Sequence, residues 1–151
     1  MAKPHPLSTI RLFAGIPDEA LDRIEAAGET RTYADGETLF SEGDTGTHMY
    51  AVLEGRVQLT VALHDKTEQV PVHIATRGSV FGEFVLFETR PRSATAMAMK
   101  PVRAFAVTAE DLQTIFDGAP AVGLTMMRNL CTILVDRMRK TTTELRASLV
   151  W

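Results

Sequence analysis

The residues best suited to chemistry lie in one stretch, Val80 to Thr95, which carries Gly82-Glu83, a short apolar run and then Pro91-Arg92-Ser93. Gly82 has no Cβ, so the backbone there can approach a ligand closely. The run from Glu83 to Phe87 has the length of one helical turn. Its spacing predicts that Phe84 and Phe87 are buried together and that free N–H groups point at whatever sits beside Gly82, a setting that favours an anion. Pro91 stiffens the chain ahead of Arg92, whose fixed charge can make paired hydrogen bonds to a phosphate. Ser93 adds a hydroxyl donor. Ionised Glu83 only accepts hydrogen bonds, which suits a sugar hydroxyl rather than a phosphate. One small ligand with an anionic phosphate and a free hydroxyl satisfies every one of these groups.

Other reactive residues form no comparable constellation. His5, His48, His64 and His73 are scattered without metal-ligand spacing. Cys131 is the only cysteine, which rules out a disulfide within the chain, and it sits in an apolar helical pattern. No second carboxylate or metal site accompanies Glu83, so the chain does not read as an enzyme and needs no cofactor besides its ligand. The formal charge of −3 gives no general electrostatic reason to bind nucleic acid. The opening Met-Ala-Lys-Pro-His-Pro-Leu lacks the apolar stretch of a signal peptide, and no apolar run is long enough to span a bilayer. A cytoplasmic protein without a membrane partner is expected.

The elements that must position this stretch follow from the patterning. A chain of 151 residues, 45% hydrophobic and 23% charged, fits one domain with a real core. Residues 1–28 read as an N-terminal helical segment: Asp18 and Glu19 start a helix, Leu21, Ile24 and Ala27 recur at helical spacing, and Gly28 ends it. Residues 29–108 read as β structure, short β-branched or alternating runs punctuated by turn signals such as Asp35-Gly36, Gly43-Asp44, Glu54-Gly55 and Arg77-Gly78. Candidate strands are Glu37–Phe40, His48–Leu53, Arg56–Leu63, Val70–Ala75, Ala94–Met99 and Ala104–Val107. Residues 109–151 return to helix. Ala109-Glu110-Asp111-Leu112 opens a short helix that Asp117-Gly118 closes, and Pro120 suits the first turn of a long one. Along that helix Met127, Cys131, Leu134, Met138, Thr141 and Leu145 step by four and three, as in a coiled-coil seam, which Thr141 weakens. The same face could pack on the helix's own barrel. Because the far end should project beyond a small domain, a homodimer through this helix is expected.

The stretch from Gly82 to Ala94 resembles the phosphate-binding cassette of the cyclic-nucleotide-binding domain family, shared by catabolite activators and protein-kinase regulatory subunits. That pattern is Gly-Glu, a short helix, then (Pro)-Arg-(Ala/Ser/Thr)-Ala, and Gly82, Glu83, Pro91, Arg92, Ser93 and Ala94 match it without a gap. Leu12-Phe13 and Leu21 look like the family's opening. Gly36-Glu37, Phe40, Glu42-Gly43-Asp44, Tyr50, Leu53-Glu54-Gly55 and Gly78 match its glycine-punctuated β-roll, and Asp111-Leu112, Phe116 and Pro120 its closing helices. The resemblance implies an α+β fold: an antiparallel, jelly-roll-like β-roll of about eight strands, a short N-terminal helix, a cassette helix within residues 81–95, and two C-terminal helices, the last one long.

The resemblance also implies roles. Glu83 would take the ribose 2′-hydroxyl; Arg92 would pair with the cyclic phosphate, helped by Ser93 and by backbone N–H groups of the cassette, so the ligand set is Gly82, Glu83, Phe84, Arg92, Ser93 and Ala94. Val85 departs from the alanine or glycine found in relatives, and its bulk either narrows the ligand space or faces the core. Ser93 favours cyclic AMP over cyclic GMP. The base-reading positions of bacterial activators fall at Arg137 and Met138, one turn before Thr141-Thr142-Thr143, which leaves Arg137 to cover the base. Trp151, the only tryptophan, is a candidate lid. With no residues after Trp151 to form a recognition helix, the expectation is a stand-alone sensor that moves its last helix and acts on an unidentified effector. The rival readings are the sensor portion of a transcription regulator and a module that has lost its ligand.

Overall fold

The computed structural model describes residues 3–64 and 67–150. In chain order it comprises α1 (Asp18–Ala27), β1 (Glu29–Tyr33), β2 (Thr38–Phe40), β3 (His48–Glu54), β4 (Val57–Ala62), β5 (Gln69–Ala75), β6 (Val80–Phe81), β7 (Thr95–Ala98), β8 (Val102–Thr108), α2 (Ala109–Gly118) and α3 (Pro120–Leu149). Two 3-10 turns, Arg11–Phe13 and Glu83–Leu86, complete it.

The strands pair antiparallel into two four-stranded sheets, ordered β1-β8-β3-β6 and β2-β7-β4-β5. The first sheet is covered on both faces, which explains the unbroken apolar run at its centre. Along β3, Met49, Ala51 and Leu53 face the helices, while Tyr50 and Val52 face the second sheet. Along β8, Phe105 and Val107 face the helices and Ala104 and Ala106 the inter-sheet core. The period of two sorts consecutive apolar residues into two cores. The outer core gathers Leu12, Phe13, Leu21, Ile24, Leu112, Met126 and Leu130 against the first sheet; the inner one closes the roll.

The helix boundaries follow their local signals. Asp18 and Glu19 lie in the first turn of α1 and Gly28 caps its end. The Thr108 hydroxyl caps α2 by accepting the Asp111 N–H at 3.0 Å. Pro120 opens α3, whose buried residues Gly123, Met126, Leu130 and Ile133 all lie in its first half. Asn129 fixes that half to the N-terminal segment by donating to the Leu12 and Ala14 carbonyls at 2.9 and 2.8 Å, and Arg11 pairs with Asp136. From Met138 onward the helix is exposed on every side.

All six expected strands are present with ends shifted by a residue or two. β1 and β6 were not anticipated. β1, Glu-Thr-Arg-Thr-Tyr, is an edge strand with no fully buried residue, and β6, though both its residues are apolar and buried, is too short to show a strand's alternation. A second correction concerns the cassette turn. Phe87 closes the turn by donating its N–H to the Phe84 carbonyl at 3.0 Å, but the two rings are 48% and 59% exposed rather than buried. Val85 and Leu86 are the residues that pack on the helical core. Trp151 lies outside the described residues. Among those described, no helix is long and apolar enough to cross a membrane.

Candidate functional site

The cassette begins where β6 ends. Gly82 stands at φ +71°, a left-handed conformation that reverses the chain directly into the Glu83–Leu86 turn. A Cβ there would lie 2.8 Å from Arg92 Nη1, so the absent side chain serves both the turn and the arginine. Between this turn, the 90–94 segment and the second sheet lies a cavity of about 180 Å³. Gly82, Glu83, Phe84, Arg92, Ser93, Ala94 and Arg137 all line it, with apolar walls from Phe40, Leu59 and Val72. The fold thus brings these seven residues of the expected ligand set to one cavity, whereas the candidate lid Trp151 lies outside the described residues. Val85 lines the cavity and also packs on the helical core.

Arg92 is 9% exposed. Its Nη2 donates to the His48 carbonyl at 2.8 Å and its Nη1 to the Gly82 carbonyl at 3.3 Å. The Phe40 ring lies beneath the guanidinium, 4.2 Å from Cζ, a cation–π contact in a desolvated setting that contributes about 2 kcal/mol. Tyr50, stacked on Phe81 at 5.2 Å, extends this aromatic floor. Among the described residues no carboxylate lies within ion-pair distance of Arg92, and its Nε has no hydrogen-bond partner. Burial pushes the guanidinium below its ordinary pKa, with Tyr50 and Asp44 opposing the shift. A buried cation held only by neutral carbonyls and a ring retains free donors for an anion.

Glu83, 4% exposed, faces the same cavity. Its Oε1 accepts from Arg137 Nη1, while Arg137 Nη2 donates to the Val80 carbonyl. Arg137 therefore ties the long helix α3 to both ends of the β6–cassette junction. Met138, by contrast, is 69% exposed and off the cavity wall, because a one-residue step on a helix turns the side chain by about 100°. Thr142 and Thr143 are exposed, their hydroxyls bonded back to α3 carbonyls at 2.9 and 3.0 Å.

Sequence reasoning missed Phe40, the His48 carbonyl and Gly46 as parts of the arginine's environment. They lie in or beside the β2–β3 loop, 44 positions before Arg92 in the case of His48. The one local signal was the aromatic and glycine content of Phe40-Ser41-Glu42-Gly43-Asp44-Thr45-Gly46, which reads equally well as a turn.

The model of the family described as cyclic nucleotide-binding domain matches residues 30–118. The cyclic AMP receptor protein of Thermus thermophilus is 30% identical over 89% of this chain, which spans 60% of that protein's length. A cyclic nucleotide-gated potassium channel of Rhizobium etli is 31% identical over 81% of this chain and 32% of its own length. Among solved structures, the N-terminal domain of a transcriptional regulator from Streptomyces coelicolor superimposes with a TM-score of 0.74 at 32% identity, covering 93% of this chain and 94% of that one.

Proposed function

The chain belongs to the cyclic nucleotide-binding domain family, and from that premise we propose that it binds a cyclic nucleotide, cyclic AMP in preference to cyclic GMP, as a signalling sensor rather than an enzyme. The observation that carries the reading is Arg92: a buried guanidinium on the cavity wall with no acidic partner among the described residues and with Nε unused. An anionic cyclic phosphate supplies that partner. The phosphate sits against Arg92, Ser93 and the backbone around Phe84 and Ala94, and the ribose 2′-hydroxyl donates to Glu83. Since Arg137 engages Oε1 of Glu83, Oε2 remains for the sugar. The apolar walls at Leu59 and Val72 receive the base, with Arg137 at its edge.

Coupling to the helix follows from the same contacts. When the phosphate draws the cassette inward, Glu83 carries Arg137, and with it the middle of α3, toward a second arrangement. The output is a surface of α3, offered to an effector or to a second copy. A second reading, the sensor portion of a transcription regulator, is favoured by the Streptomyces domain, which this chain matches over nearly all of its length. Measuring transcription from a target promoter with and without cyclic AMP separates it from other outputs.

Calorimetric titration with cyclic AMP and cyclic GMP tests the proposal. Cyclic AMP should bind more tightly and raise Tm in proportion to its concentration over Kd. Arg92→Ala should weaken binding by about a hundredfold or more, the equivalent of roughly 3 kcal/mol lost with the charged partner. An Arg92→Ala protein with wild-type affinity would overturn the assignment.

A further inference from the structure

Gly82 and five other glycines adopt positive φ, where L side chains are strained, but Gly46 is not among them. Its backbone conformation is open to any residue. What leaves no room there for a side chain is Arg92. A Cβ built on Gly46 would fall on the Nε and Cζ atoms of Arg92 and 2.5 Å from Nη2. The guanidinium therefore lies over the Phe40 ring and abuts the bare backbone of Gly46 along its Nε and Nη2 atoms. The loop is tied to the arginine's own backbone as well. Arg92 N–H donates to the Asp44 carbonyl at 2.8 Å, and Gly43 N–H donates to the Arg92 carbonyl at 2.9 Å.

We propose that Gly46 is a positioning residue for ligand capture: the space left by its missing side chain is the seat that aims the Arg92 guanidinium at the cavity. Because two backbone hydrogen bonds hold loop and arginine in register, an added methyl group displaces the flexible guanidinium rather than the loop. The displaced group loses the His48 and Gly82 carbonyls and the ring together. The inference rests on the reading that Arg92 receives the ligand's phosphate.

The test is Gly46→Ala, alone and combined with Arg92→Lys, whose slimmer end does not fill the seat. By calorimetry with cyclic AMP, G46A should bind roughly tenfold or more weakly than wild type, yet cost less than about twofold on top of R92K. Equal losses in both backgrounds, or no loss at all, would overturn the proposal. Melting temperature serves if G46A folds poorly. A drop in the Arg92 background that R92K relieves supports the seat, and equal drops refute it. A third readout needs no ligand. The Arg92 Nε–H proton resonance, held near the Phe40 ring, should move in G46A, and an unmoved resonance refutes the seat. If wild-type protein binds neither cyclic AMP nor cyclic GMP, the pocket's reading fails while this resonance still decides the role of Gly46.

Discussion

Glu83 and Arg92 are the charged side chains that the described fold buries most completely, and each is left half-answered by protein groups. Glu83 has a partner on one oxygen and Arg92 has carbonyls but no counter-charge. Such groups cost stability unless a ligand completes them, which is why they mark a binding site more firmly than exposed charges do. His73 presents a different residue-scale case. It sits on β5 beside Arg11, Asp136, Arg137 and Lys140, with Nε2 buried and without a hydrogen bond. Burial, and then the charges of Arg137 and Lys140, hold its pKa below the ordinary 6.5. The folded state therefore favours neutral His73. The stability this provides is present above pH 6.5 and is lost as the pH falls through the lowered value. Thermal melts from about pH 7.5 to about pH 5 should show wild type losing more Tm than His73→Gln. His48, whose pKa is also lowered by burial and then by Arg31, accounts for part of what remains. Identical profiles for the two proteins would rule out His73 as a contributor.

At the scale of elements, α3 divides into two functional halves. Its first half is a core helix, buried at Gly123, Met126, Leu130 and Ile133. Its second half leaves an apolar stripe open, with Met138, Leu145 and Leu149 at 69%, 59% and 69% exposure. The stepping of four and three that marks a coiled-coil seam thus serves two ends. Met127 and Leu134 pack on the domain itself, while Cys131, Met138 and Leu145 face outward at intervals of seven. A second copy along this stripe is the expected partner. Met138→Lys combined with Leu145→Lys should convert a dimer to a monomer in sedimentation velocity while leaving cyclic AMP affinity within about threefold, since neither side chain lines the cavity. A wild-type protein that sediments as a monomer at high concentration would remove the seam from consideration.

For the whole molecule, the organising feature is one side chain that joins the last helix to the β6–cassette junction. Arg137 links α3 to the carboxylate of Glu83 and to the carbonyl of Val80. These two hydrogen bonds, the two by which Asn129 is anchored to Leu12 and Ala14, and the Arg11–Asp136 pair fix where the helix crosses the roll. Ligand binding should therefore slow amide exchange both in the cassette and in the middle of α3. In Arg137→Ala the cassette should still be protected on binding, but the protection of α3 should be lost. Protection of α3 that survives this substitution would mean that the helix responds through another route.

Much was legible in the sequence because it is local. The order of helices and strands, the boundaries at Gly28, Thr108 and Pro120, and the Gly82–Ala94 cassette all rest on spacing, caps and turn chemistry within a few residues. These cassette residues and Arg137 line one cavity. What lacked a local signature was missed: the polar edge strand β1, the two-residue β6 and the outward orientation of Phe84 and Phe87. A turn's spacing says which residues share a face, whereas packing decides which way that face points. The same limit applies to Arg92 in the cassette. Its type and place beside Pro91 are those expected of a residue that pairs with a phosphate. That it lies on Phe40, beside Gly46 and against the His48 carbonyl was decided by tertiary structure alone, because close packing brings together loops far apart in the chain and sequence spacing carries no record of such contacts.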